Sequence, residues 1–381
     1  MESFSLSAGK IVTPYACLKN GIIEVEKGMI TGIWEEKNKR RVNFPNSTLV
    51  PGLIDMHVHG CKGYSVMKGE ISEMSSVLAS HGVTSFLPTT LTSPVEDLKP
   101  IAQKILELNR GKECISQILG LNLEGPWISK DQPGSQSKEH IRKASIEELK
   151  EINVGNIVKV VTLAPEENMD IIKELVKRKI IVSLGHSNAD YDTAKKAIVL
   201  GAKLSTHTFN AMRAFHHRDP GIVGAVLESG GVYCEAIPDL IHLYPSVLKI
   251  LIKVKGTERV IPVTDGTEAA GLPDGEYDLS LGRVIVKNGA CRQEDGTLAG
   301  STLFLDQGIK NLVKIGIDLK DAVRMATVNP ATLLGIEDRK GSITVGSDAD
   351  LVLLNKNMEV ERVYVGGKMV DLQDSESQSS F

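Results

Sequence analysis

Two histidines one residue apart, His57 and His59, close an apolar run that reads LVPGLIDMHVHG over Leu49–Gly60. In a strand, residues i and i+2 point to the same face. The two imidazoles can therefore be offered to one point just beyond the strand's end, where they suit a divalent cation or acid–base work. A bare H-x-H is more often a strand end with two satisfied polar side chains. Further groups downstream overturn that bland reading, because they fall in the same kind of place. Pro51 tells against a central strand that begins before it, so the strand is expected at Gly52–Met56, buried on both faces.

The elements that position such groups follow from the pattern of the chain. Apolar strand-like runs recur at Thr84–Leu87, Ile118–Leu123, Val158–Leu163, Ile180–Leu184, Leu204–Thr206, Val232–Ile237 and Val260–Val263. Helical patterns separate most of them, as at Ile146–Ile152, Met169–Lys177, Tyr191–Leu200 and Tyr244–Lys253. Strand–helix alternation of this density means parallel β/α units. Eight such strands point to an α/β fold closed as a (β/α)8 TIM-like barrel over residues 51–339. An open doubly wound sheet lacks support, since no G-x-G-x-x-G follows a strand.

The two ends differ in texture. Lys10–Val12, Gly21–Glu26 and Met29–Trp34 near the start, and Gly341–Val345, Ala349–Leu354 and Val360–Val365 near the finish, read as short strands between Gly and Lys turns. They predict a small β-sandwich domain built from both termini, residues 1–50 plus 340–381, with the polar DSESQSSF as a frayed tail. Glu276–Val286 and the following GACRQEDGTLAG read as a β-hairpin inserted near residues 275–300. Helices at Phe304–Ile315 and Leu319–Thr327 follow, and Asn329-Pro330 is expected to interrupt before a last turn at Ala331–Leu334.

Barrels carry their chemistry at the C-terminal ends of the strands. Those positions hold His57 and His59 on strand one, Glu124 on strand three, His186 on strand five, His207 on strand six and Asp265 on strand eight. Six imidazoles and carboxylates around one mouth would be costly to bury unpaired, so they imply a metal. Nitrogen and oxygen donors suit zinc first, with iron or manganese as alternatives. Asp265 also reads as an N-cap of the segment after it, and Arg218 as a solvated loop charge. Beside a metal mouth the functional readings rank ahead.

Several longer stretches carry a resemblance: PGLIDMHVHG, LEGPW, Gly185–Ser187 (GHS), THTFNAM, HRDPG, VTDG, LAGS and the closing GSITVGSDADLV. On these the chain resembles the amidohydrolase superfamily and, within it, the deacetylases of N-acetyl amino-sugar phosphates. The resemblance implies hydrolysis of the N-acetyl group of N-acetylglucosamine 6-phosphate to glucosamine 6-phosphate and acetate, with metal-bound hydroxide as nucleophile. It implies Glu124, His186 and His207 as ligands of a primary divalent metal, His57 and His59 as a second site, and Asp265 as general base and then acid. Gln136, Asn210, Ala211, Arg218 and His242 match substrate-binding positions. His242 is implied to reach across from the partner subunit of a homodimer. Two departures stand out. Gln136 replaces a histidine common in relatives, and IPDLIHL carries Pro238 and Leu240 where small residues are usual. The galactosamine epimer and an amidohydrolase acting on a cyclic amide are the alternative substrates. A non-catalytic assembly protein on this scaffold is disfavoured because all the ligands are kept.

Composition bounds the rest. The 381 residues carry 44 basic and 48 acidic side chains, a net charge of -4, with 41% hydrophobic content. That balance gives no footprint for nucleic acid and no cationic face for a membrane. No apolar run reaches transmembrane length, and MESFSLSAGK lacks a signal peptide's apolar core. Five scattered cysteines without a C-x-x-C pair read as reduced thiols of a cytoplasmic protein. Cys61, so close to the histidine pair, reads as a bystander before it reads as a ligand.

Overall fold

The structure is a computed structural model that describes residues 3–14, 16–37 and 42–372; the tail DSESQSSF lies outside them. Eight parallel strands are hydrogen-bonded in chain order: Leu53–Val58, Val83–Thr90, Leu121–Glu124, Val158–Leu163, Ile181–Leu184, Leu204–Ser205, Tyr233–Ala236 and Val260–Pro262. The ring completes just past the ends of the last and first strands. There Val58 bridges Gly266, and the Asp265 N–H donates to the His57 carbonyl at 2.9 Å. Every residue of Leu53–Val58 and of Val83–Thr90 is buried, as both faces of a barrel strand demand. One apolar cluster takes Ile54, Met56, Leu87, Val160, Leu204, Tyr233 and Ile261 from strands all round the ring.

The first strand runs two residues further than Gly52–Met56, because Val58 still pairs with Pro88 of its neighbour. His57 therefore lies inside the strand and His59 one residue past it. The run Ile118–Leu123 is split. Gln117–Ile118 pairs beside the second strand, and only Leu121–Glu124 enters the barrel. The hinge is Gly120 at φ +144°, where an added Cβ would lie 2.7 Å from the Ile157 carbonyl oxygen, so only glycine fits. Two helices open on side-chain caps. The Ser145 hydroxyl accepts from Glu148 N at 3.3 Å to open Ile146–Ile152, and Asp190 accepts from Thr193 N at 2.8 Å to open Tyr191–Val199. Asn329-Pro330 does not interrupt: Pro330 is the third residue of the helix Val328–Leu334. In a first turn the N–H that proline lacks has no intrahelical partner anyway.

Strands from both ends of the chain form one seven-stranded sheet. Its order is Lys368–Met369, Val360–Val365, Leu351–Leu354, Phe44–Pro51, Phe4–Val12, Cys17–Glu26, Met29–Glu35. The layers of the expected sandwich thus belong to a single ladder that curls back on itself. Its far edge returns to residues just ahead of Leu351, with Ile30 N–H donating to Ser347 O at 2.9 Å and Ala349 N–H to Gly28 O at 2.8 Å. Gly341–Val345, expected as a strand, is loop leading into that contact. Period-two alternation divides the sheet's faces. Ile11, Leu49, Leu351, Leu353 and Tyr364 fill a small core of their own. Their neighbours Val12, Val50, Val352, Leu354, Val363 and Val365 join the core of the barrel.

The insertion is larger than one hairpin. Gly275–Leu279, Gly282–Lys287, Ala290–Gln293 and Leu298–Ser301 make a four-stranded antiparallel meander over its own cluster of Ala269, Val284, Val286, Cys291 and Ala299. Ser301 N–H donates to Asp265 O at 2.8 Å, which ties the meander to the end of the eighth barrel strand.

Candidate metal centre

The side chains that end the strands meet at one mouth. Glu124 closes the third strand, His186 and His207 stand two residues beyond the fifth and sixth, and Asp265 three beyond the eighth. His186, His207 and Asp265 have φ of +47°, +26° and +47°. Left-handed backbone is strained for such residues. Here it turns the chain sharply off each strand and aims three side chains at a common point.

Two triads result, His57–His59–Asp265 and Glu124–His186–His207, and all six residues are buried. Glu124 Oε1 lies 3.3 Å from His186 Nε2, 3.1 Å from His207 Nε2 and 3.3 Å from His57 Nε2. Its Oε2 is 3.3 Å from His59 Nε2, so this carboxylate stands between the triads. Asp265 Oδ1 is 3.2 Å from His59 Nε2 and 3.4 Å from His57 Nε2. The Nε2 atoms of His57 and His59 are 3.2 Å apart, and those of His186 and His207 3.1 Å.

These spacings test whether the residues fit an ion. His59 Nδ1 lies 3.1 Å from Thr89 O and His186 Nδ1 3.0 Å from Gln132 O. A carbonyl only accepts, so both Nδ1 atoms carry hydrogen and each Nε2 turns its lone pair inward. Facing lone pairs repel unless a proton or a cation lies between them. Zinc–nitrogen bonds of about 2.0–2.1 Å place neighbouring tetrahedral ligands about 3.3 Å apart, close to the distances found. The donor set and its geometry fit a divalent ion in each triad.

The charges agree. Burial alone would disfavour a charged His57, but Glu124 and Glu235 outweigh it and hold the ring's pKa well above the ordinary value. His59 is raised to about 9, against burial, by Asp265 and Glu124. Asp265 moves the other way, to about 2, because the hydrogen bond from His59 and the charges of His57 and His207 overcome the burial that would raise it. The buried carboxylates thus favour positive charge on the rings around them.

The cavity above the triads holds about 170 Å³, and Gln136, Asn210, Ala211 and His242 help to line it. Leu281, Thr297 and Leu298 of the meander close one side. Gln136 is buried between two strand ends. Its amide nitrogen donates to Glu124 Oε2 at 2.6 Å and its oxygen accepts from Thr92 N at 2.7 Å. His242 stands among the residues that line its own chain's cavity. Asp239 holds it there, with Oδ2 2.6 Å from Nδ1 and Oδ1 accepting the His242 N–H at 2.8 Å. Arg218 is not brought in. It is exposed, stands outside the lining, and its guanidinium rests 2.7 Å from His217 Nε2. Cys61 is buried away from both triads, and burial pushes its thiol pKa up.

Two buried carboxylates went unread in the sequence. Glu235 is the last residue but one of the seventh strand and lies 3.1 Å from His57 Nδ1. Asp55 accepts from Thr264 Oγ1 at 2.6 Å and from His57 N at 3.2 Å, and burial lifts its pKa to about 6. The signal was present: an acid inside an otherwise apolar strand, as in VYCEAI and GLIDM.

Residues 48–370 match the model of the amidohydrolase family, and the chain belongs to that family. Its relatives narrow the class. An N-acetylglucosamine-6-phosphate deacetylase of Bacillus subtilis (strain 168) is 37% identical, covering 94% of this chain and 95% of its own. An N-acetylgalactosamine-6-phosphate deacetylase of Escherichia coli O157:H7 is 33% identical over 96% and 98%. The crystal structure of N-acetylglucosamine-6-phosphate deacetylase from Thermotoga maritima superposes with a TM-score of 0.90 at 38% identity, covering 97% of this chain and 99% of that one.

Proposed function

We propose that this amidohydrolase removes the acetyl group of N-acetylglucosamine 6-phosphate, releasing acetate and glucosamine 6-phosphate. The observation that carries the reading is the pair of buried triads at the barrel mouth, with Glu124 of one within 3.3 Å of both histidines of the other, in a chain whose relatives are deacetylases of amino-sugar phosphates. The galactosamine epimer is the second reading, favoured by the Escherichia coli relative.

Glu124, His186 and His207 would hold one divalent ion, and His57, His59 and Asp265 a second. Zinc suits the nitrogen-rich donors best, with iron or manganese as alternatives. A bound ion polarises a carbonyl and lowers the pKa of water from about 15.7 to about 7, which an unreactive amide requires. The protein's own groups do the rest. Asp265, itself a member of one triad, is held ionised there, ready to take a proton from the attacking water and pass it to the departing nitrogen. Gln136 keeps Glu124 aligned from behind. Asn210, Ala211 and His242 border the cavity where the sugar would lie, and binding energy from its remote phosphate aligns the acetyl group.

A homodimer belongs to the same reading. Phe215 and Tyr244 are exposed within three residues of Arg218 and His242, and Ile250 and Val254 are exposed on the following helix. Exposed large apolar side chains near both positions support a contact between copies. In such a dimer Arg218, exposed and outside its own cavity, is the group free to reach a neighbour's phosphate. The five unpaired cysteines support a reducing, cytoplasmic setting. No described helix is long and apolar enough to cross a membrane. Residues 51–339 are read as the barrel domain, with 1–50 and 340–381 as the smaller one.

The test is acetate release from both epimeric sugar phosphates, with elemental analysis of the same sample. Faster turnover of the galactosamine epimer selects the second reading. Metal-loaded protein that releases acetate from neither substrate would exclude both, and full-rate hydrolysis by metal-free protein would exclude the role given to the metal.

A further inference from the structure

Glu235 is the one strand-end carboxylate that the chemistry above leaves without a task. It stands one residue before the end of the seventh strand, Tyr233–Ala236, and is 1% exposed. A carboxylate this deep is costly unless a charge or several hydrogen bonds compensate it. Among the described residues its only ion-pair partner is His57, with Oε2 3.1 Å from Nδ1. The same Oε2 also accepts the backbone N–H of His207 at 3.2 Å. One oxygen thus touches a ligand of each triad.

The other rings are oriented differently. His59 and His186 rest their Nδ1 atoms on the neutral carbonyls of Thr89 and Gln132, and His207 Nδ1 is buried with no partner. Only His57 leans on a full negative charge. A carboxylate behind an imidazole fixes the Nδ1–H tautomer, turns Nε2 toward the ion and makes it a stronger donor. Its hold on His207 is through the backbone alone, and it leaves that ring's donor atom untouched.

We propose that Glu235 is a positioning residue that gives the His57–His59–Asp265 site its affinity, and so decides whether the centre holds one ion or two. The assignment rests on the two-ion reading above. The test is zinc titration of the full-length, chelator-stripped protein against Glu235→Gln, read by calorimetry and elemental analysis, with thermal unfolding of the metal-free proteins alongside. Glutamine keeps the volume and an acceptor for His207 N–H but removes the charge. The variant should bind the second equivalent about 10–100-fold more weakly, with the first equivalent and the metal-free melting temperature near the parent's. A parent that binds two ions and a variant that matches it at both would overturn the role of Glu235 alone. Equal weakening of both equivalents, or a collapsed melting temperature, would show a structural strut instead. A parent that never exceeds one equivalent would overturn the two-ion reading and this assignment with it. If Glu235→Gln does not fold, Glu235→Asp, which retracts the charge from His57, is judged by the same criterion.

Discussion

Replacing Asp265 with asparagine tests the proposed proton carrier with the least disturbance of shape. Burial opposes ionisation of this carboxyl, yet His59, His57 and His207 draw its pKa from 3.8 to about 2. A shift in that direction favours the ionised form, so near neutrality the parent holds a base with no proton on it. Asparagine has nearly the same outline and can keep a contact to His59, but it has no useful proton affinity. Loss of a general acid–base group typically slows a reaction by about 10²–10⁴-fold, so kcat should fall at least about 100-fold. Glu124, His186 and His207 are untouched, so the first ion should remain and KM should change little. The assay is acetate release at saturating substrate, with metal content measured on the same preparation. A variant within a few-fold of the parent and with its metal intact would show that another group moves the proton.

Metal affinity at the H-x-H site should rise with pH. His59, raised from 6.5 to about 9, carries a proton at neutrality that an incoming ion must expel, so affinity climbs across that range and levels off near its upper end. For the same reason, the stability His59 gives the metal-free protein is present below pH 6.5 and lost as pH rises through about 9. Titrations at several pH values check the first point, and pH-independent binding would refute it. Arg218→Ala should slow turnover of the phosphorylated sugar far more than that of plain N-acetylglucosamine, since a lost charge pair is worth roughly 2–5 kcal/mol; equal losses on both would remove Arg218 from phosphate recognition. Mixed dimers of Asp265→Asn and Arg218→Ala subunits should recover activity, because one site regains both groups. The same mixture with His242→Ala should not, since His242 lines its own chain's cavity. Gln136→Leu would strand a Glu124 oxygen and the Thr92 N–H in the interior, lowering stability by about 1–3 kcal/mol, as urea unfolding would measure; an unchanged midpoint would refute the clamp.

The barrel, its order of strands and the six groups at its mouth were legible in the sequence because each depends on short-range periodicity. H-x-H places two rings on one face by the geometry of a strand alone, and a strand's end is marked by where the apolar run stops. Tertiary structure decided what long-range contacts control. Gly341–Val345 has the composition of a strand, yet the curled sheet's far edge pairs with residues 346–349 just beyond it. Gln136 lies 12 residues from Glu124 and 44 from Thr92, and only folding sets its amide between them. His242 faces inward because Asp239 holds both its ring and its N–H, while Arg218, with no such anchor, stays outside. Glu235 is 178 residues from His57 and looks like one more acid in the chain. Its meaning comes from burial, which leaves it a single imidazole as counter-charge, and burial belongs to the assembled barrel.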